Sequence, residues 1–161
     1  MNKLSYEEQT RQLIAAIDIA VTSFELYSPK NWDNNTKQHI VNTYISWKND
    51  LKNPNPKFKN KKSLSFVIVE VLTYFQESSG EAVNYFWQQI ENTGLDFKRE
   101  NKLNKIMKRK KIKTLIEYDF IIDVLVPYQQ VGLINDEEVK ALNKMLLEFE
   151  DFHSKNNESV K

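Results

Sequence analysis

Apolar residues recur along this chain mostly at intervals of three and four. Leu13, Ile17, Ala20, Phe24 and Tyr27 fall on one helical stripe, and Ser5 with Glu8 has the spacing of a capping box. A first helix is therefore predicted from Ser5 to about Ser28-Pro29. Ile40, Tyr44, Trp47 and Leu51 mark a second, which stops before Asn53-Pro54-Asn55-Pro56. Residues 63–78, SLSFVIVEVLTYFQES, carry two signals. Leu64, Ile68, Val71, Leu72 and Phe75 fit a helix, whereas the β-branched content and partial alternation fit a strand. We read a helix, because the neighbouring segments are helical and no partner strand is evident. Ala82, Val83, Phe86, Trp87 and Ile90 carry the next helix to Gly94, which is placed to act as a left-handed C-terminal cap. Asp96 is positioned to cap a basic helix after it. Thr114 with Glu117 repeats the capping-box spacing and opens LIEYDFIIDVLVPYQQVG, read as the buried central helix, with Pro127 kinking it or ending its regular part and Gly132 just past its end. Asn135 with Glu138 makes a third box and launches Val139, Leu142, Leu146 and Phe149.

The pattern implies an all-α fold, a single-domain bundle of about six to seven helices with one long Pro/Lys-rich loop at about residues 52–62. Residues 1–153 form this domain. Within it an N-terminal helical hairpin (5–52), a linker (52–62) and a main helical part (63–153) can be distinguished, and a disordered tail (154–161) follows. Length and composition agree, since 161 residues at 40% hydrophobic content suffice for one core, and only three Gly and four Pro interrupt the chain. No apolar run approaches the roughly 20 residues needed to span a bilayer, and the longest, Phe120 to Val126, is broken by Asp123. The start, MNKLSYEEQTRQ, lacks the basic and apolar regions of a secretory signal. The absence of Cys removes disulfides, thiol nucleophiles and thiolate metal sites. We expect a soluble, cytoplasmic protein. Lys outnumbers Arg twenty to three and Asn is abundant, a usage associated with AT-rich bacterial genomes.

Charge adds the most informative feature. The net value is +1, but residues 48–62 carry +5, 63–97 carry −5, 98–113 carry +8 and 114–161 carry −6. If 98–113 is helical, Lys98, Lys102, Lys105 and Arg109 share about sixty degrees of its circumference, with Leu103, Ile106 and Met107 opposite. Lys110, Lys111 and Lys113 extend this face into the next turn. The expected partner-binding residues are Lys98, Lys102, Lys105, Arg109, Lys110 and Lys111, and a protein is the expected partner, because a positive strip beside acidic neighbours orients docking. Nucleic acid is the alternative, through neutralised phosphates. Scarce Arg, no aromatic among the lysines, a pI of 7.8 and an apolar second helix weigh against it. A membrane is not expected, because the apolar side of this helix faces the core. A merely solvated lysine face is the bland alternative, and apolar helix faces leave a homodimer open.

Catalytic chemistry is hard to assemble from these residues. Three scattered glycines make no phosphate loop, and the two imidazoles, His39 and His153, stand in no triad-like motif. Glu150 and His153 have the i, i+3 spacing of di-iron bundles, but such sites need a second copy and two more Glu. Asp119 and Asp123, with Glu117 nearby, would form a carboxylate site only if they shared a cleft. The aromatic run Tyr85-Phe86-Trp87 fits a core stripe better than a ligand platform. No catalytic residue, metal ligand or cofactor is expected, and the chain is read as non-enzymatic.

The segment from Phe86 to Glu150, above all FWQQIENTGLDFKRENKLNKIMKRKKIKTLIEYDFIIDVLVPYQQVGLINDEEVKALNKM, resembles small helical bacterial proteins of uncharacterised function. Some of these accompany secreted or polymorphic toxins as immunity proteins. The resemblance covers about two fifths of the chain and carries no catalytic motif. It implies an immunity protein that neutralises a toxin, and it transfers no functional residue.

Overall fold

The computed structural model describes residues 3–158. Among them are seven α-helices, one 3-10 turn and no strand, as the periodicity requires. They are α1 (Tyr6–Leu26), α2 (Asn34–Lys52), α3 (Lys61–Glu77), α4 (Glu81–Thr93), α5 (Asn104–Arg109), α6 (Leu115–Gln130) and α7 (Asp136–Glu158). The ambiguous segment is helical within α3 over 63–77, and Ser78 is its extended C-cap. The buried side chains gather in two clusters, one in the compact unit spanning Met1–Arg99 and one in that spanning Glu100–Lys161. The Pro/Lys-rich loop, read as the linker, lies inside the first unit, and the hairpin before it shares its core with α3 and α4.

Local sequence explains the first unit well. Ser5 Oγ accepts from the Glu8 amide at 3.1 Å while Glu8 accepts from the Ser5 amide at 2.8 Å, the complete capping box. Asp33 caps α2 through the Thr36 amide, and Asn60 caps α3 through the Ser63 amide. Gly94 ends α4 at φ 68°, the left-handed geometry its position implied, and the Leu95 amide closes on the Ile90 carbonyl. The core is built from rings. Phe24 lies 5.2 Å from both Trp32 and Phe75 and 5.4 Å from Tyr44, and Phe75 stacks on Phe86 at 3.8 Å. Polar tips are satisfied inside it. The Tyr44 hydroxyl donates to the Val71 carbonyl and the Trp87 indole to the Phe75 carbonyl, both at 2.8 Å. Phe86 and Trp87 therefore belong to the interior, as their stripe indicated.

The second unit departs further from expectation. α6 buries only Ile121, Val124 and Tyr128, while Leu115, Ile116, Ile122 and Val126 are exposed, so it is not a central helix enclosed on all sides. Pro127 does not end it; the helix continues to Gln130, and Gly132 follows at φ 75°. Residues 154–158, expected to be disordered, continue α7, and 159–161 lie outside the described residues.

Candidate docking surface

The basic segment is not one helix. Residues 98–103 are irregular, and only Asn104–Arg109 is helical. Bonds to other parts of the chain explain why. The Lys98 carbonyl accepts from the Gln76 side chain at 2.8 Å, and the Arg99 guanidinium donates to the Ser78 carbonyl at 2.6 Å. The Asn101 side chain donates to the Leu133 carbonyl and accepts from the Leu103 amide, both at 3.0 Å, an Asx turn competing with the helical ladder. A helix over 98–113 would also have stacked like charges at i, i+3 and i+4. The Asp96 side chain caps nothing there, and its amide donates to Gln12 instead. Lys98 and Lys102 thus lie outside α5, so the four cations do not share one helical face.

Arg109 is occupied by the fold. Its Nε donates to the Lys111 carbonyl at 2.9 Å and its guanidinium pairs with Glu117. The same Glu117 oxygen accepts the Lys113 amide at 2.8 Å, and the Glu117 amide donates to Thr114 Oγ1. The capping box expected at Thr114 is accordingly shifted, with the carboxylate taking the amide one residue upstream. The Lys113 amide, then Arg109, hold the Glu117 carboxyl below the usual carboxylate range. Arg109 and Glu117 together clasp the turn 110–113.

That turn presents Lys110, Lys111 and Lys113 to solvent while Ile112 points inward. Lys110 occupies the left-handed C-terminal position of α5 at φ 60°, where glycine is the low-energy residue. The three lysines border a groove of about 630 Å³ completed by α7 through Met145, Glu148, Phe149, Phe152 and His153. Its aromatic wall is ordered. Tyr118 stacks on Phe149 at 5.1 Å, His153 tilts against Phe149 at 4.2 Å, and the Tyr118 hydroxyl donates to Glu150. Phe152, 62% exposed, extends that wall into solvent. Lys110 and Lys111 are thus brought to one surface, whereas Lys98, Lys102 and Arg109 do not line it, and Lys105 is exposed on α5. Phe149 was read only as core, and Phe152 was missed. Their spacing with His153, at i, i+3 and i+4, was the signal available.

Other candidates separate. Asp119 and Asp123 are both exposed on α6, so the carboxylate cleft does not form. His39 is exposed on α2 in the first unit, and Glu150 is engaged by Tyr118 rather than by His153. Among the described residues no three His, Cys, Asp or Glu side chains gather as a metal site, and no helix is long and apolar enough to cross a membrane. Comparison with family models, curated proteins and solved structures finds no match for this chain.

Proposed function

We propose that this chain acts by binding another protein, without catalysis, and that the lysine turn 110–113 with the exposed aromatic face of α7 is the docking surface. The observation that carries the reading is the gathering of three lysines around a groove whose apolar edge, Phe152, is left open to solvent. Lysines steer and orient an acidic partner, while Phe152, exposed beside the buried Phe149, supplies the desolvated contact that holds it. The strained backbone at Lys110 supports this, because a residue kept where glycine would fit better points to a demand on its side chain. The partner class that fits the resemblance of residues 86–150 is a toxin, with this chain as its cytoplasmic immunity protein in a bacterium. A nucleic-acid role loses support, because the continuous cationic face it needed is split and its Arg109 is committed to Glu117.

The test uses proteins encoded beside this gene, each expressed with and without the chain. One of them is expected to arrest growth alone, to be tolerated with the chain, and to co-purify with it. Lys111→Glu combined with Phe152→Ser should weaken that complex by about tenfold or more. If no neighbouring product binds, or the double variant binds and protects equally, the reading fails.

A further inference from the structure

The other basic block, residues 48–62, sits beside a second opening that the reading above leaves unused. It is a pocket of about 560 Å³ in the first unit, between the start of α1, the end of α2, the Pro/Lys-rich loop and the first turns of α3. Trp47, Leu51, Leu64 and Val67 line it, and Phe58 and Phe66 stand at its edge, 57% and 63% exposed. A pocket of this size with a mainly apolar lining is the usual form of a recognition site. The loop is constructed rather than slack. Asn55 accepts from the Lys57 amide at 3.0 Å, the Phe58 amide closes on the Asn55 carbonyl at 2.9 Å, and Asn60 caps α3. Two prolines further limit its freedom. This order sets Phe58 at the opening instead of in the core.

Charge identifies the occupant. Lys52, Lys57, Lys59, Lys61 and Lys62 are all exposed, and none of them forms an ion pair among the described residues. Lys61 and Lys62 stand in the first turn of α3, where the helix dipole is already positive and no acidic side chain compensates. Lys57 Nζ lies 5.6 Å from the Phe58 ring centroid, a cation held over an aromatic face at the opening. None of the five is in the lining itself, whose one charged residue is Asp50; Lys52, Lys57, Lys59 and Lys62 adjoin lining residues in the chain, while Lys61 borders a separate opening with Leu4, Gln9 and Phe97. We infer that this pocket docks an acidic segment of a partner protein, inserting one bulky apolar side chain between Phe58 and Phe66 while its carboxylates meet the lysines. A concave opening favours such an anchor over a flat lipid surface, which would be met by protruding rings alone. This inference does not depend on the groove beside α7.

The probe is a fluorescein-labelled peptide of about a dozen residues, rich in Asp and Glu around a central Leu and Phe, titrated in anisotropy against the full chain. Saturable binding is expected, weakening as salt rises. Phe66→Ser and, separately, Lys59→Glu with Lys62→Glu should each weaken it by about tenfold. All three positions are exposed, and circular dichroism confirms the fold of each variant. Lys30→Glu with Lys155→Glu, exposed lysines that line neither opening, should leave binding unchanged, which separates this pocket from a general loss of positive charge. The inference is overturned if the peptide does not bind, or if replacing its Leu and Phe by Ser changes nothing. It is equally overturned if binding survives both pocket variants, if it is lost in the Lys30/Lys155 variant, or if phosphatidylserine vesicles bind through Phe66 while the peptide does not.

Discussion

The two units solve the same problem with different materials. In the first, four long helices share a network of rings centred on Phe24 and Phe75, and side chains cap three of the four helix starts. In the second, the buried residues are mostly aliphatic, with Tyr128 and Phe149 the only rings among them. Its shortest helix, α5, has six residues and no side-chain cap, too few to persist on its own in water. Ile106 and Leu103 anchor one side of it, and the Arg109–Glu117 clasp secures the turn after it. Both units use apolar area and local caps, Thr114 and Asn135 capping α6 and α7, but the second adds a partly exposed ionic clasp. The more exposed device is also the one that positions Lys110, Lys111 and Lys113.

The largest effects should come from the cores. Phe75→Ala removes a ring that touches four others and should lower stability by about 3–5 kcal/mol, whereas Leu142→Ala in the second unit should remove about 2–5 kcal/mol. Denaturant titration of each variant checks both. A Phe75→Ala loss well below 2 kcal/mol would remove the ring network from the comparison.

Next comes the clasp. Arg109→Ala leaves the Glu117 carboxylate without its guanidinium and exposes the Lys111 carbonyl to water. It should destabilise by about 1–2 kcal/mol and speed amide exchange at Lys113. Because the carboxyl of Glu117 is depressed in the folded state, its contribution is full above the ordinary carboxylate pKa of about 4.3 and disappears as pH falls through the lowered value. Acidification through that window should loosen the turn 110–113, and Glu117→Gln should abolish the pH dependence. Amide exchange measured between neutral and acidic pH, corrected for intrinsic rates, separates the two.

A cap is worth less. Asn60→Ala removes the bond to the Ser63 amide and should cost about 1 kcal/mol, read from the melting curve. The smallest effect has the opposite sign. Lys110→Gly relieves about 1–2 kcal/mol of left-handed strain against about 0.4–1 kcal/mol of added unfolded-chain freedom, so it should stabilise the chain by up to about 1 kcal/mol while weakening the partner complex. Stabilisation without loss of binding would make Lys110 an ordinary solvated lysine.

How far the sequence disclosed this arrangement depended on the range of the forces involved. Ser5 with Glu8, the stripe from Leu13 to Phe24 and Gly94 announced their structures because caps and periodicity act within a turn or two. The basic segment misled because its periodicity was genuine over Leu103, Ile106 and Met107, while the bonds that unwound 98–103 come from Gln76, Ser78 and Leu133, far away in sequence. The candidate site was half legible. Lys110 and Lys111 were identified from charge, but their pairing with Phe149 and Phe152 joins a loop to a helix some forty residues later, and only tertiary structure brings them together. The exposed face of α6 was misread because an apolar composition does not say which surfaces are covered.

The central claim is that the lysine turn and the aromatic face of α7 form one docking surface. It is tested most directly by a double-mutant cycle on the affinity of the co-purified partner, using Lys111→Glu, Phe152→Ser and the combination. Each single variant should bind about tenfold more weakly, and the combined loss should differ from the sum by at least about 0.5 kcal/mol, as contacts sharing one surface require. Unchanged affinity in both single variants would contradict the account.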